Sequence, residues 1–363
     1  MVAASSAKSL GMLTAGRKKS VVGLEIEAGS VAATEVRSNG HAEVVGHGVA
    51  ALAPGVFREG EAADVGALGE ALKSLFVEHK LSKGVRLGIG NQRIVVRTLD
   101  LPRIEKPAEL ETAIRFQASD QMPMPLDEAV LDWQLVGSST GPAGEPRISV
   151  VVVAARRDMV EALLSAVRKA DLRPVGIDLS AFGMIRALRD RDAAGVEPPD
   201  GARLLCNLGD VVNLAVVRGS VCLFTRIAPF GVEGIAQQLS ERRGLTLEHA
   251  RQWLVHVGLE RPLEQIEGDA ELVAAAREAT TEGAARLADE LRRSLEFYGA
   301  QEGAIAVGDI VACGPGTTIP GLVPALEASL GRSVSVGRPE GLAGLDPAAA
   351  ARLVVPFGLA MED

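Results

Sequence analysis

The 363-residue sequence predicts a two-lobed α/β molecule with a small α+β subdomain inserted in its first lobe. Three observations lead there. A strand–turn–strand–turn–strand pattern occurs twice, about 180 residues apart. Between the copies, residues 86–172 carry strands and helices beyond what one lobe needs. After the second copy, residues 232–302 read as entirely helical before the chain returns to a strand.

The first copy is Val21-Val22-Gly23-Leu24-Glu25-Ile26-Glu27-Ala28-Gly29-Ser30, then Val31 to Val36, then the turn Asn39-Gly40. The second is Leu204-Leu205-Cys206-Asn207-Leu208-Gly209-Asp210, then Val212 to Val217, then Gly219-Ser220 and Val221 to Phe224. β-Branched runs separated by small-residue turns are the signature of hairpins. The spacing is too wide for a solenoid array. Two unrelated hairpins would give the same pattern; two related lobes, each pointing a hairpin tip into a shared cleft, explain its repetition.

The remaining elements follow in order. Val65 to His79 places Leu68, Leu72, Leu75 and Phe76 on one helical face. Val85 to Gly90 and Ile94 to Leu99 are strands. Residues 107–118 form a helix with Pro107 in its first turn and Leu110, Ile114 and Ala118 in a stripe. Met122-Pro123-Met124-Pro125-Leu126 breaks it, and an acidic segment runs from Asp127 to Asp132. Arg147 to Ala154 is a buried strand and Asp158 to Lys169 an amphipathic helix. The turn-rich stretch Asp190 to Asp200 marks the lobe boundary. Beyond the helical block, whose last helix is read as Ala284 to Tyr298, come the strand Ile310 to Cys313, the turn Gly314-Pro315-Gly316, a helix from Pro320 to Leu330 and the strand Val334 to Val336.

The expected organisation is a disordered tail over 1–17; a lobe 1 core from 18–85 and 173–202, completed by 340–363; an insert at 86–172; a lobe 2 core from 203–231 and 303–339; and a helical subdomain at 232–302.

Composition narrows the function. A 47% hydrophobic content supports a large core, but only 3% is aromatic, so Val, Leu, Ile and Ala must build it. The net charge of -9, with no basic block beyond Arg17-Lys18-Lys19, argues against nucleic acid. Three cysteines, all at predicted strands, fit buried thiols in a reducing compartment. The longest apolar run, Ile148 to Ala155, falls well short of the roughly 20 residues a membrane span needs. The five histidines show no metal-ligand spacing, and no dinucleotide, GxSxG or P-loop motif occurs.

Five segments carry a family resemblance. Gln121 to Asp132, Asp178-Leu179-Ser180-Ala181-Phe182, Leu223-Phe224-Thr225-Arg226, Arg292 to Tyr298 and Gly314 to Leu322 match, in this order, the type IV pilus assembly protein PilM family. That family resembles the division protein FtsA, an actin-like protein with an extra subdomain in lobe 1. The fold thus implied belongs to the actin, hexokinase and Hsp70 superfamily, whose two hairpin tips grip a nucleotide's phosphates.

The resemblance also implies an ATP site, and here the sequence departs from it. The family's first phosphate loop has the form Asp-Ile-Gly-Ser-Ser-Ser with a lysine two residues on. Glu25 stands for the acid, Glu27 for the glycine and Ala32 for the lysine. The second loop, Asn207-Leu208-Gly209-Asp210-Val211-Val212, lacks hydroxyls and has an amide for its metal-orienting aspartate. The nucleotide-contacting positions carried over are Ala28, Gly29, Ser30, Gly209, Asp210, Glu290, Arg293, Gly314, Gly316 and Thr317. ATP is therefore expected to bind weakly and without turnover. Asp178 is open to two readings, a helix cap and a cleft acid.

In the family, a groove between lobe 1 and its insert takes the cytoplasmic N-terminal peptide of the bitopic membrane protein PilN. Phe116, Met122 and Met124 are the candidate lining, with Ile114 directed inward. The expected molecule is a cytoplasmic scaffold held at the inner face of the membrane by that partner, with self-association a second contact. The alternatives are an active actin-like ATPase or small-molecule kinase, and an FtsA-like protein, disfavoured because this sequence shows no terminal amphipathic helix.

Overall fold

The structure, a computed structural model, describes residues 20–38, 41–141, 144–189, 201–301 and 303–361. The proposed tail, the Asn39-Gly40 turn and the 190–200 boundary lie outside the described residues.

Lobe 1 opens with β1 (Ser20–Ile26), β2 (Ser30–Ser38) and β3 (Ala42–Ala51). A two-strand ribbon follows, β4 (Phe57–Arg58) and β5 (Glu61–Ala62), then α1 (Val65–Glu78) and β6 (Gly84–Ile89). The Asp64 carboxylate accepts from the free amides of Gly66 and Ala67 to start α1, whose Leu68, Leu72, Leu75 and Phe76 are buried. The insert contains β7 (Ile94–Pro102), α2 (Pro107–Gln121), β8 (Ala129–Thr140) and β9 (Pro146–Arg156). The chain returns through α3 (Arg157–Lys169), β10 (Arg173–Leu179) and α4 (Ser180–Leu188).

Lobe 2 repeats the opening with β11 (Ala202–Leu208), β12 (Val212–Arg218) and β13 (Val221–Ala228). The helical block is α5 (Val232–Arg243), α6 (Leu247–Val257) and α7 (Ala270–Gly299). Then come β14 (Val307–Cys313), α8 (Leu322–Leu330), β15 (Val334–Val336) and α9 (Pro347–Ala360).

The two five-stranded sheets have one topology. Their orders are β3-β2-β1-β6-β10 and β13-β12-β11-β14-β15. In each, the first three strands are an antiparallel meander and the last two lie parallel to the first. The repeat seen in the sequence is thus a repeat of a whole sheet.

The lobes are joined by α4 and α9, which share one core between the two sheets. Met184 and Ile185 of α4 and Leu353, Val354 and Phe357 of α9 pack there with Val36 of β2 and Leu205 and Val217 of lobe 2. The helices cross at glycines. A Cβ on Gly358 would lie 1.8 Å from the Gly183 carbonyl oxygen, and one on Gly23 of β1 would lie 1.9 Å from that of Pro356. Arg186 Nε donates to Gly358 O at 2.9 Å, and Arg86 Nη1 to Leu359 O at 2.9 Å and Met361 O at 2.6 Å. Two guanidinium groups therefore bond carbonyls at the end of α9, where Gly358 O accepts also from Met361 N–H at 3.3 Å. Asp178 ion-pairs with Arg186 and its carboxylate accepts from Leu179 N–H at 2.8 Å. It orients one of these arginines.

The insert is smaller than 86–172. β6 hydrogen-bonds between β1 and β10, and α3 packs with α1 in the lobe 1 core, so both belong to the lobe. The three-stranded sheet β7-β9-β8 and α2 form the insert proper. Its own core is Leu99, Leu101, Ile114, Ala118, Met122, Val150 and Val152. Alternation along a strand hid this boundary, because β6 and β7 read alike in sequence. A second difference is α7, which spans 30 residues where the sequence showed only its C-terminal half. Gly283 interrupts the apolar pattern midway; a Cβ there would lie 2.4 Å from Ile235 Cδ1, so the helix keeps a glycine to let α5 approach.

Candidate functional site

The two hairpin tips meet in a cleft of about 670 Å³ between the lobes. The first tip is tight: Glu27 N–H donates to Ser30 O at 2.8 Å, which leaves Ala28 and Gly29 at the apex. The second is Gly209-Asp210-Val211. Val232 N–H donates to Gly209 O at 2.9 Å and ties this tip to α5. Gly231 allows the approach, since a Cβ there would lie 2.2 Å from the Gly209 oxygen.

Each tip is held by the other's carboxylate. Ala28 N–H donates to Asp210 Oδ2, and Asp210 N–H donates to Glu27 Oε1 at 3.3 Å. Two arginines surround this clasp. Arg352 of α9 donates to Ser30 Oγ at 3.0 Å and lies 3.9 Å from Glu27 Oε2. Arg251 of α6 binds Glu233 of α5 through Nε at 2.8 Å and Nη2 at 2.6 Å. It also crosses the cleft to cover Gly29, where a Cβ would be 2.2 Å from Nη2.

At the floor, Glu25 is 8% exposed and accepts from the Ser180 hydroxyl. Burial, followed by repulsion from Glu27 and Asp210, holds its carboxyl well above the usual carboxylate range. Burial and then Glu27 and Glu233 push Asp210 in the same direction. Glu27 is raised by burial, with Arg352 opposing the rise. The tip amides of Ala28 and Asp210 face carboxylates.

Of the ten carried-over nucleotide positions, Ala28 and Asp210 lie on the cleft wall. Gly29 is under Arg251, and Ser30 is buried and bonded to Arg352. Gly314 and Gly316 pack against Asn207 and Leu208, with built Cβ distances of 2.0 Å and 2.7 Å. Gly209 would put a Cβ 2.0 Å from Glu27 Oε1. Thr317 Oγ1 donates to Gly314 O at 2.8 Å and closes its own turn. Glu290 and Arg293 pair with each other at 2.5 Å on α7, away from this wall. Asn207 is 2% exposed and turned toward Cys313.

The groove candidates separate. Ile114 is fully buried as expected, and Met122, at 7% exposure, belongs to the insert core. Met124 rests half-buried against that core. Phe116 stands out from α2 at 73% exposure. A helical stripe at 110, 114 and 118 leaves position 116 on the far side, so the three side chains do not share one surface. The cysteines are free; burial pushes the thiols of Cys206 and Cys222 up to about 12, beyond useful reactivity.

Sequence reasoning missed Glu233, Arg251, Arg352 and Asn213. Arg352 lies 322 positions from Ser30, its partner, and no local pattern links them. Asn213 did leave a signal, as the one amide in an otherwise apolar strand, Val212–Val217.

No helix among the described residues is long and apolar enough to cross a membrane. A profile described as "Type IV pilus assembly protein PilM" matches residues 23–361. A solved PilM-PilN type IV pilus biogenesis complex is similar at a TM-score of 0.78 and 26% identity, covering 95% of this chain and 98% of that one. The ethanolamine utilization protein EutJ from Carboxydothermus hydrogenoformans matches at a TM-score of 0.53 and 14% identity, over 96% of this chain and 92% of that one. MreB5 of Spiroplasma citri bound to ADP matches at 0.52 and 10% identity, over 94% of each chain. These likenesses make the fold a two-lobed actin-like one, and with a profile match across nearly its whole length the chain belongs to the type IV pilus assembly protein PilM family.

Proposed function

We propose that the protein is a non-hydrolysing actin-like scaffold of a type IV pilus inner-membrane platform. It docks the cytoplasmic N-terminal peptide of a PilN-like membrane protein and is held at the membrane through it. The observation that carries the non-enzymatic reading is the clasp between Asp210 and the Ala28 amide. A triphosphate would have to displace this carboxylate and then lie beside Glu27. At ~4 Å and an effective dielectric near ~20, one like-charge contact costs on the order of 4 kcal/mol. Ala32, where the family has lysine, is buried and supplies no countercharge. The residues present do not fit a polyphosphate.

The partner reading draws on family membership and on the insert's shape. α2 covers one face of the β7-β9-β8 sheet. On the other, Val96 and its partner Val153 pack against the lobe 1 core, while Thr98 is exposed and Val130 is 39% exposed. β8 is an edge strand with unpaired backbone groups. An extended peptide takes its affinity from such an edge and its specificity from apolar neighbours.

The test is phosphate release by purified protein with MgATP. The expected result is no turnover above a no-enzyme blank, and Glu27→Gly is expected to raise ATP affinity about tenfold, or about 1.4 kcal/mol. Magnesium-dependent turnover abolished by Asn207→Ala would overturn the reading.

A further inference from the structure

We propose that the cleft floor is a binding site for a guanidinium-bearing ligand, held by the carboxylates of Glu25 and Asp210 and the side-chain amide of Asn213. This rests on the reading above that the cleft does not accept a polyphosphate, and adds what it accepts instead.

Six carboxyl side chains line the cleft, Glu59 and Glu241 among them, and four concern the hairpin tips: Glu25, Glu27, Asp210 and Glu233. The outer two already have guanidinium partners, Glu27 in Arg352 and Glu233 in Arg251. Among the described residues, neither of the inner two, Glu25 and Asp210, has a cation within ion-pair distance; Arg251, committed to Glu233, attracts Asp210 only from farther off. Buried carboxylates ordinarily have an ion-pair partner. The second observation is independent of the acids. Asn213 of β12 is 5% exposed and lines the same cleft, and its amide oxygen has no hydrogen-bond partner. An unpaired buried acceptor costs stability unless a donor reaches it. The two carboxylates and the amide oxygen are all acceptors, so the complementary ligand is a cation rich in donors.

Shape favours guanidinium over a metal ion. Among the described residues, no group of three His, Cys, Asp or Glu side chains could hold a metal. A planar guanidinium spreads five N–H donors over a fork and can address acceptors that do not meet at one point. The cleft volume of about 670 Å³ suits a small molecule or a single inserted side chain.

The carboxyls define the pH behaviour. Glu25 faces Glu27, Asp210, Ser180 and the Cys313 thiol. Asp210 faces Glu27, Glu233 and Arg251. Arg58 and Glu59 of the β4–β5 ribbon line the same cleft. Both inner carboxyls are held above their ordinary range, so a bound cation expels a proton, and affinity tightens with rising pH by about tenfold per unit for each proton released.

The experiment is calorimetry on the full chain with argininamide, with the blocked tripeptide acetyl-Gly-Arg-Gly-amide, with citrullinamide as the neutral isostere, and with MgATP. Either arginine probe is expected to bind, more tightly at pH 8 than at pH 6, and at least tenfold more tightly than citrullinamide. Tighter binding of argininamide identifies a free small molecule, and tighter binding of the tripeptide a peptide-borne arginine. Glu25→Gln and Asp210→Asn are expected to weaken binding at least tenfold, and Glu25→Gln to do so without lowering the ligand-free melting temperature. Equal binding of citrullinamide, a pH-independent affinity, or no binding of either arginine probe overturns the proposal while leaving the absence of nucleotide turnover intact. Binding of MgATP in competition with argininamide overturns both.

Discussion

Glu25 is a buried carboxyl with a hydroxyl but no cation beside it, and its effect on stability has a definite sign. Above pH ~4 the unfolded chain has released this proton while the folded chain retains it. The folded state then binds more protons, so stability falls as pH rises until the raised value is passed. Glu25→Gln removes this dependence. Its melting temperature should match that of the parent near pH 4.5 and exceed it increasingly as pH rises, until the raised value is passed, with a slope of at most about 1.4 kcal/mol per pH unit for one group. A difference that does not change with pH would mean that Glu25 is ionised in the fold. The acidic replacements at 25 and 27 were legible in the sequence. Their arginine partners were not, because Arg251 and Arg352 reach the tips from helices far along the chain.

At the scale of elements, the α4–α9 crossing and the insert make separate predictions. Gly358→Val forces a branched side chain into the Gly183 backbone, which cannot yield as a flexible side chain would. A loss of about 3 kcal/mol or more is expected in denaturant unfolding, against near neutrality for Gly344→Ala, which meets nothing within 4 Å. In the insert, Met122→Ala should cost about 2–5 kcal/mol as a core truncation. Phe116→Ala should leave the melting temperature unchanged. If the partner peptide binds on the lobe-facing side of the insert sheet, Val130→Asp weakens it at least tenfold and Phe116→Ala does not; the opposite outcome puts the peptide on α2. Hairpins, α1, α2 and the insert's existence could be read from periodicity. The insert's limits could not, because strand pairing decides them and β6 and β7 differ only in their neighbours.

At the scale of the whole molecule, the repeated sheet topology sets two hairpin tips opposite each other, and the side chains at those tips decide what the cleft does. Here a carboxylate of each lobe accepts from an amide of the other, so the chain's own groups bridge the cleft. The repeat suggested two lobes and the family resemblance supplied the actin-like class; the pairing across the cleft required both lobes in place. The same account makes partner recognition independent of ATP. Titrating the full chain by calorimetry with the N-terminal cytoplasmic peptide of its PilN-like partner, with and without MgATP, tests this directly. The account predicts one peptide bound per chain with the same affinity in both titrations and no phosphate released. No peptide binding, or binding that requires MgATP, would contradict it.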